Sequence, residues 1–418
     1  MNEHLLQYIW QHRLYDAQQL ITEDHQPVVV IHQGTHNKDQ GPDFLYARIR
    51  INEIELIGSV EIHIKTSDWK KHGHTGDDHY KNVILHVVWE HDTEFDLSIP
   101  VLVLRGRVSN VLLGQYSTMM AKNNHIPCAP HLNKTDRLIL EQWKERMLAE
   151  RLLNKVAMIR AIADKSKHYE EEIFWLLIFR NMGMPVNTDA LETIYRSVPF
   201  KVWMQCRMRI QVIEALLLGQ ANLLSCDQED DYMIMLQQEY RHIKRKYDLR
   251  SPQLLISNLR MRPAHFPLMR MVQLAMLWYM HPDLYAYMMH ADSVDEMRKK
   301  LMVSAYDFWQ YHYSLSAPSK RREKQLGHTM ADLLLINSIL PFRYFKAMQS
   351  KNETEKEKVI CLYYEIPAEH NAIMRRWKSL GIDAHKAADS QGLLHLYKNY
   401  CASKRCLECA IGSSIIRS

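Results

Sequence analysis

The sequence predicts two regions of different class: an α/β domain over residues 1–130, with a mixed sheet and flanking helices, and a large all-α domain over 131–418 that ends in a cysteine-rich tail. Three observations predict this. Between residues 28 and 104, short segments either alternate in hydrophobicity or run apolar throughout, as strands buried on one or both faces do. Beyond about residue 130, apolar positions recur at helical spacing. Between the two patterns lies KNNHIPCAPHLNK (122–134), with two prolines and several turn-forming residues.

In chain order, residues 3–21 carry Leu5, Leu6, Ile9, Trp10, Leu14 and Leu20 at amphipathic spacing, which predicts an opening helix. Pro27 ends it, and Val28–Ile31 is a short strand. The segment 34–41 is a polar turn. Phe44–Ile51 alternates as a half-buried strand, Asn52 and Glu53 form a tight turn, and Ile54–Lys65 is the next strand, with Gly58 marking a bulge. Residues 67–79 combine loop and short helix. The run NVILHVVWE (82–90) suits a strand buried on both faces, and 99–104 is one more strand. Helices follow at about 135–163, 168–182, 188–197, 199–218, 229–247, 251–258, 267–280, 283–289, 293–313, 328–348, 353–361, 367–379 and 383–400.

With 47% apolar and 24% charged residues, the 418-residue chain has the composition of a soluble globular protein. It has no apolar run of 18 residues and no signal-peptide pattern, so the expected location is the cytoplasm, with no membrane partner. No Walker loop, dinucleotide fingerprint or nucleophile elbow is present. The net charge of +5 divides unevenly: residues 1–130 hold 11 Lys and Arg against 16 Asp and Glu, and the rest hold 42 against 32. An acidic part that binds cations beside a basic part that attracts phosphates suits a polyanionic substrate. An ordinary solvated surface carries the same excess.

The chemistry concentrates between Gly41 and Val88. Asp43 opens one strand and Glu61 lies on the next, so the two carboxylates can converge on one Mg2+ or Mn2+. Side-chain alternation puts His63 and Lys65 on the face of Glu61. His63, His72, His74, His79, His86 and His91 fall within 29 residues. His72 and His74, completed by Asp68 or Asp77, have the pattern of a transition-metal site, a competing reading as a His/Asp metal hydrolase. His86 reads as structural and Trp69 as packing.

The pattern Pro-Asp-Phe, a hairpin, and Gly-x-Val-Glu-Ile-His on the following strand resembles the PD-(D/E)XK nuclease superfamily over roughly residues 1–105. The resemblance implies a core of helix, three-stranded meander, helix and further strand. It implies catalysis by Asp43 and Glu61 with a metal, His63 standing where that superfamily has lysine and Lys65 supplying the missing cation. Tyr80 resembles the tyrosine of a signature found in some exonuclease-like members, without its glutamine. The whole chain also resembles an uncharacterised bacterial family of unknown function, on GPDF, VEIH, SDW, His-x-His and the terminal Cys-x-x-Cys.

Cys401, Cys406 and Cys409 are spaced as C-x4-C-x2-C, a metal knuckle that needs a fourth ligand, with Cys128 the first choice and His395 the second. Zn2+ and an iron–sulfur cluster both suit four thiolates. Some nucleases of the superfamily hold such a cluster by cysteines flanking the nuclease domain. Reduced thiols without an ion are the alternative. Cys206, Cys226 and Cys361 read as core residues. Basic stretches with Arg262 and Arg270, and with Lys320, Arg321 and Arg322 beside the aromatic residues 309–313, are the candidate nucleic-acid contacts. The leading expectation is a divalent-metal-dependent nuclease acting on DNA or RNA. The alternatives are a nucleic-acid-binding or structural module whose catalytic site has decayed, and the His/Asp hydrolase of another substrate.

Overall fold

The computed structural model describes all residues except 95–97, 122–124, 165–168, 225–229, 255, 258–265, 316–317 and 418. The chain divides into two compact units, Met1–Trp143 with Leu396–Ser418, and Lys144–His395. The division expected at residue 130 therefore lies inside the first unit, and the cysteine-rich tail, expected to close the helical domain, belongs to the first unit as well. Local pattern could not reveal this, because the helix Arg137–Asp164 runs through the division point without a break. Among the described residues no helix is long and apolar enough to cross a membrane.

The first unit is built on a seven-stranded mixed sheet. Its strands are β1 (Leu20–Ile21), β2 (Pro27–His32), β3 (Thr35–His36), β4 (Phe44–Ile51), β5 (Ile54–Lys65), β6 (Val83–Glu90) and β7 (Val101–Val103). The spatial order is β1-β2-β4-β5-β6-β7, with β3 paired to β4. The pairs from β1 to β5 are antiparallel, and β5–β6 and β6–β7 are parallel. β4 and β5 span the residues that alternation predicts, joined by a turn in which Asn52 takes a left-handed φ of 52°. The bulge expected at Gly58 lies across from it: Phe44 faces Val60 but Ala47 faces Gly58, so β4 has the extra residue. Gly58 answers a different need, since a Cβ there would stand 2.6 Å from the Asn82 carbonyl where β6 begins.

The opening helix α1 covers Glu3–Gln11, shorter than the expected 3–21. Arg13 takes a left-handed φ of 52°, and its guanidinium donates to the Ile31 carbonyl at 2.6 Å, which fastens the reversal to β2. The crossover from β5 to β6 holds a single-turn helix, α2 (Asp68–Lys71), and a 3-10 turn at Asp78–Tyr80. Helix α3 (Asn110–Met120) follows the sheet. The tail helix Ala410–Arg417 returns to α1, where Ser413 Oγ lies 2.5 Å from the Tyr8 hydroxyl.

The helical unit packs around a cluster of aromatic side chains that includes Trp175, Phe179, Trp203 and Trp278, all buried. Two predicted helices are broken. The helix expected over 199–218 is Phe200–Gln205 and Ile210–Gln220, with Arg209 extended between them. That expected over 293–313 stops at Leu301, and Ser304 bridges Gln325 instead. In the segment 328–349 a π-turn covers Leu335–Ile339. Pro341 has no N–H to offer the Asn337 carbonyl, and Asn181 Nδ2 donates to it at 3.2 Å instead. The helix expected over 251–258 is absent from its described residues.

Candidate functional site

The site forms on one face of β5 and is closed by the β5–β6 crossover. Alternation directs Glu61 and His63 to the same face, and parallel pairing sets His86 of β6 beside Glu61. The crossover then carries His72 and His74 back over that face. Gly73 makes this return possible: its φ of 76° is left-handed, so the two flanking imidazoles converge rather than splay. Trp69, 2% exposed, packs edge-on against His63, His74 and Tyr80, and Tyr80 stacks on His74 with ring centres 3.9 Å apart. Trp69 is thus a packing residue and not a platform for bases.

Three imidazole donors meet at this point, with Glu61 beside two of them. His63 Nε2 lies 3.1 Å from His72 Nδ1 and 3.5 Å from Glu61 Oε1, and His74 Nε2 lies 3.3 Å from the same Glu61 oxygen. The ligand atoms of His63, His72 and His74 all fall within 4.8 Å of one another. Metal–nitrogen and metal–oxygen bonds of about 2.0–2.2 Å give tetrahedral edges of about 3.4 Å, close to the 3.1 Å between His63 and His72 and within the 4.8 Å that bounds the three imidazole donors.

The imidazoles are in the protonation state that a cation requires, whereas Glu61, raised to about 9, must give up a proton to bind one. Burial, then the neighbouring imidazoles, pushes His63 down to about 3, and burial does the same for His86. His74 is lowered by burial and by His72. These rings are neutral at physiological pH and can offer lone pairs. Burial raises the carboxyls of Asp43 and Glu61, and the charge of Asp43 raises Glu61 further. With His63 neutral, its contacts to Glu61 and His72 are not ion pairs, and one proton on Nε2 cannot satisfy both.

Asp43 and Glu61 do adjoin, but in a different way from two ligands of one ion. Asp43 N–H donates to Glu61 Oε2 at 3.0 Å, and Asp43 Oδ2 accepts the Ile62 N–H at 3.0 Å. Asp43 Oδ1 accepts from Gln7 Nε2 of α1 at 2.8 Å. Asp43 thereby fixes the Glu61 end of β5, with its carboxylate already hydrogen-bonded. Lys65 does not join the site: its exposed ammonium lies 3.9 Å from Asp92. Asp68 accepts the Lys65 N–H at 2.9 Å and the Lys71 ammonium at 2.7 Å, and Asp77 caps the 3-10 turn and holds His79, so neither acid completes a ligand set. Tyr80 is part of the site wall, and burial pushes its phenol up to about 12.

Two residues of the site are not expected from the sequence to take part in its chemistry: Gln7 has no reading at all and His86 reads as structural. Gln7 had no signal, being one polar position of an amphipathic helix. His86 had one, a lone histidine inside an apolar strand. Its Nε2 lies 2.9 Å from His63 Nδ1, with both rings buried. A proton on His63 Nδ1 directed at His86 leaves His63 Nε2 as a lone pair facing His72 and Glu61, the tautomer a metal requires.

Of the basic residues, Lys320, Arg321 and Arg322 are exposed. Arg270 is turned inward: it donates to Gln273 at 3.1 Å, and burial lowers its guanidinium to about 10. An α-helical position inside a packed bundle accounts for its being half-buried. Arg262 and Cys226 lie outside the described residues. Cys206 is buried as expected, whereas Cys361 is exposed. His395 belongs to the helical unit and faces Glu150 at 3.5 Å, so it is not gathered with the terminal cysteines.

Neither the curated proteins nor the solved structures contain a match to this chain. A family model matches residues 3–372, a span that includes every residue of the site just described, and the chain belongs to that family, "Protein of unknown function (DUF2851)".

Proposed function

We propose that the first unit is a metal-dependent hydrolase centre, with the phosphodiester bonds of nucleic acid as the substrate class. The observation that carries the metal reading is the convergence of His63, His72 and His74 donor atoms within 4.8 Å of one another, with Glu61 beside two of them. Three imidazoles suit Zn2+ or Mn2+ better than Mg2+, which prefers an all-oxygen octahedron, and they would leave a position for water beside Glu61. When bound, such a cation supplies Lewis acidity and a more acidic water. His86 fixes the tautomer of His63, and Asp43 with Gln7 holds Glu61 in place. Support for a phosphodiester substrate is the likeness to the PD-(D/E)XK arrangement: a helix, an antiparallel meander with acids on neighbouring strands, a crossover helix and a parallel strand.

The test is metal analysis of the purified chain, followed by hydrolysis assays on labelled single- and double-stranded DNA and RNA with Zn2+, Mn2+ or Mg2+. Glu61→Gln and a His72→Ala, His74→Ala double variant serve as controls. Metal-dependent cleavage abolished by both is expected. Cleavage unaffected by either set of substitutions would refute the centre. Bound metal without cleavage of any nucleic acid would remove the substrate class and leave a hydrolase of another substrate.

A further inference from the structure

We propose that Cys128, Cys401, Cys406 and Cys409 form a second metal centre in the first unit, a four-thiolate site for a thiophilic group: Zn2+ or an iron–sulfur cluster. The four sulfurs come from two distant parts of the chain that the fold brings into one unit, and all four residues are buried, at 5–7% exposure. The tail helix packs against the 3-10 turn Ala129–Lys134, which Cys128 opens, and against the turn Cys406–Glu408, which in turn touches the segment Tyr397–Cys401.

Buried thiols in a plain apolar core need no hydrogen-bond donors. Cys409 has them: its sulfur accepts the backbone N–H groups of Ile411 and Gly412 and faces the Trp143 indole. Burial by itself keeps all four thiols protonated, so a bound cation would supply the charge that the thiolates need. The backbone is wound tightly to present the knuckle. Lys404 N–H donates to the Cys401 carbonyl, Cys409 N–H to the Cys406 carbonyl, and Ser413 N–H to the Cys409 carbonyl. A Cβ on Gly412 would stand 2.3 Å from the Cys406 carbonyl oxygen, so the glycine permits the tail helix to start against the knuckle. No three of the sulfurs close to within 4.8 Å, as the imidazole donors do. A single ion would draw them inward, whereas an iron–sulfur cluster holds its thiolates farther apart.

The experiment measures zinc, iron and acid-labile sulfide, with visible absorption, in full-length protein purified with and without oxygen. The wild type is compared with Cys128→Ser, Cys406→Ser, Cys361→Ser and the His72→Ala, His74→Ala variant. The expected result is a metal that survives loss of the two histidines and of exposed Cys361 but is lost in the Cys128 and Cys406 variants. Zinc alone identifies the mononuclear site, and iron with sulfide and a visible charge-transfer band identifies the cluster. Should the serine variants fail to fold, wild-type protein reconstituted with Co2+ keeps the test open, since sulfur-to-cobalt charge transfer in the near ultraviolet reports thiolate ligands. The proposal is overturned by a native chain that contains no such metal and lacks that band, by four freely titrating thiols or two disulfides, or by serine variants with the full metal content.

Discussion

Substituting His86 probes the tautomer argument without touching a proposed ligand. His86→Phe keeps an aromatic ring against Trp69, whose centre lies 5.2 Å away, but removes the acceptor 2.9 Å from His63 Nδ1. Both histidines are 0% exposed, so water cannot replace the lost partner. A buried unsatisfied N–H costs about 1–3 kcal/mol. The ring escapes that cost by moving its proton to Nε2, the atom that faces His72 and Glu61. Metal binding must then reverse the move, and affinity falls by the same amount, roughly 10- to 100-fold. His86→Gln sets an amide oxygen near the position of the lost Nε2 and is expected to recover most of the loss. Competition with a chromophoric chelator for Zn2+ near neutral pH measures all three proteins. Wild-type affinity in the Phe variant, or a Gln variant as weak as Phe, would refute the reasoning.

Three further outcomes follow from other parts of the molecule. Burial raises the Glu214 carboxyl from 4.5 to about 7 beside the Tyr232 hydroxyl at 2.6 Å. The folded chain therefore holds that proton longer than the unfolded one. Stability falls as pH rises from about 4.5 to 7, by about 3 kcal/mol in total, and Glu214→Gln should remove this loss. Urea denaturation of both proteins at pH values below and above that window reads it, and a stability difference independent of pH would contradict it. Gly73→Val forces a β-branched residue into a left-handed conformation between His72 and His74, at a cost of about 1–3 kcal/mol. Weakened metal binding with intact apo-protein secondary structure is expected by circular dichroism and chelator competition, and unchanged affinity would show that the turn does not aim the imidazoles. Gly219→Ala puts a methyl group 2.2 Å from the Tyr240 ring and should destabilise the helical unit by about 1–3 kcal/mol. An unaltered urea midpoint would count against that packing.

The sheet was legible where alternation and turn chemistry agreed, as in β4, β5 and the Asn52 turn between them. The opening helix was overextended because the stop at Arg13 depends on hydrogen bonds to β2, which no helical periodicity records. Glu61, His63, His72 and His74 stood out individually by residue type and spacing. Their meeting depends on the parallel register of β5 with β6 and on one left-handed glycine, neither of which the linear pattern specifies. Lys65 misled for a related reason: alternation gives a face, but at the last residue of a strand that face is already solvent. Arg270 illustrates the same gap for charge, since a basic residue on a helix reads as surface until the packing of that helix is known. The cysteine spacing suggested a metal, while the assignment of the tail to the first unit required the tertiary contacts of Tyr8 with Ser413.

That assignment also makes the helical unit an insertion within the first unit. As the chain emerges from the ribosome, residues 144–395 are contiguous and can begin to fold while the first unit still lacks its last 23 residues. Completion of the first unit is thus a late event, waiting until Leu396–Ser418 has followed the helical unit out. The tail helix and Cys401, Cys406 and Cys409 arrive after the helical unit, so the histidine site stands in an unfinished host while residues 144–395 are made. A chain ending at His395 would keep every proposed ligand of that site and yet lack the segment that closes the unit around α1. Limited proteolysis of such a truncation should release a stable helical fragment and degrade the first unit, and equal resistance of both units would show that the tail is dispensable.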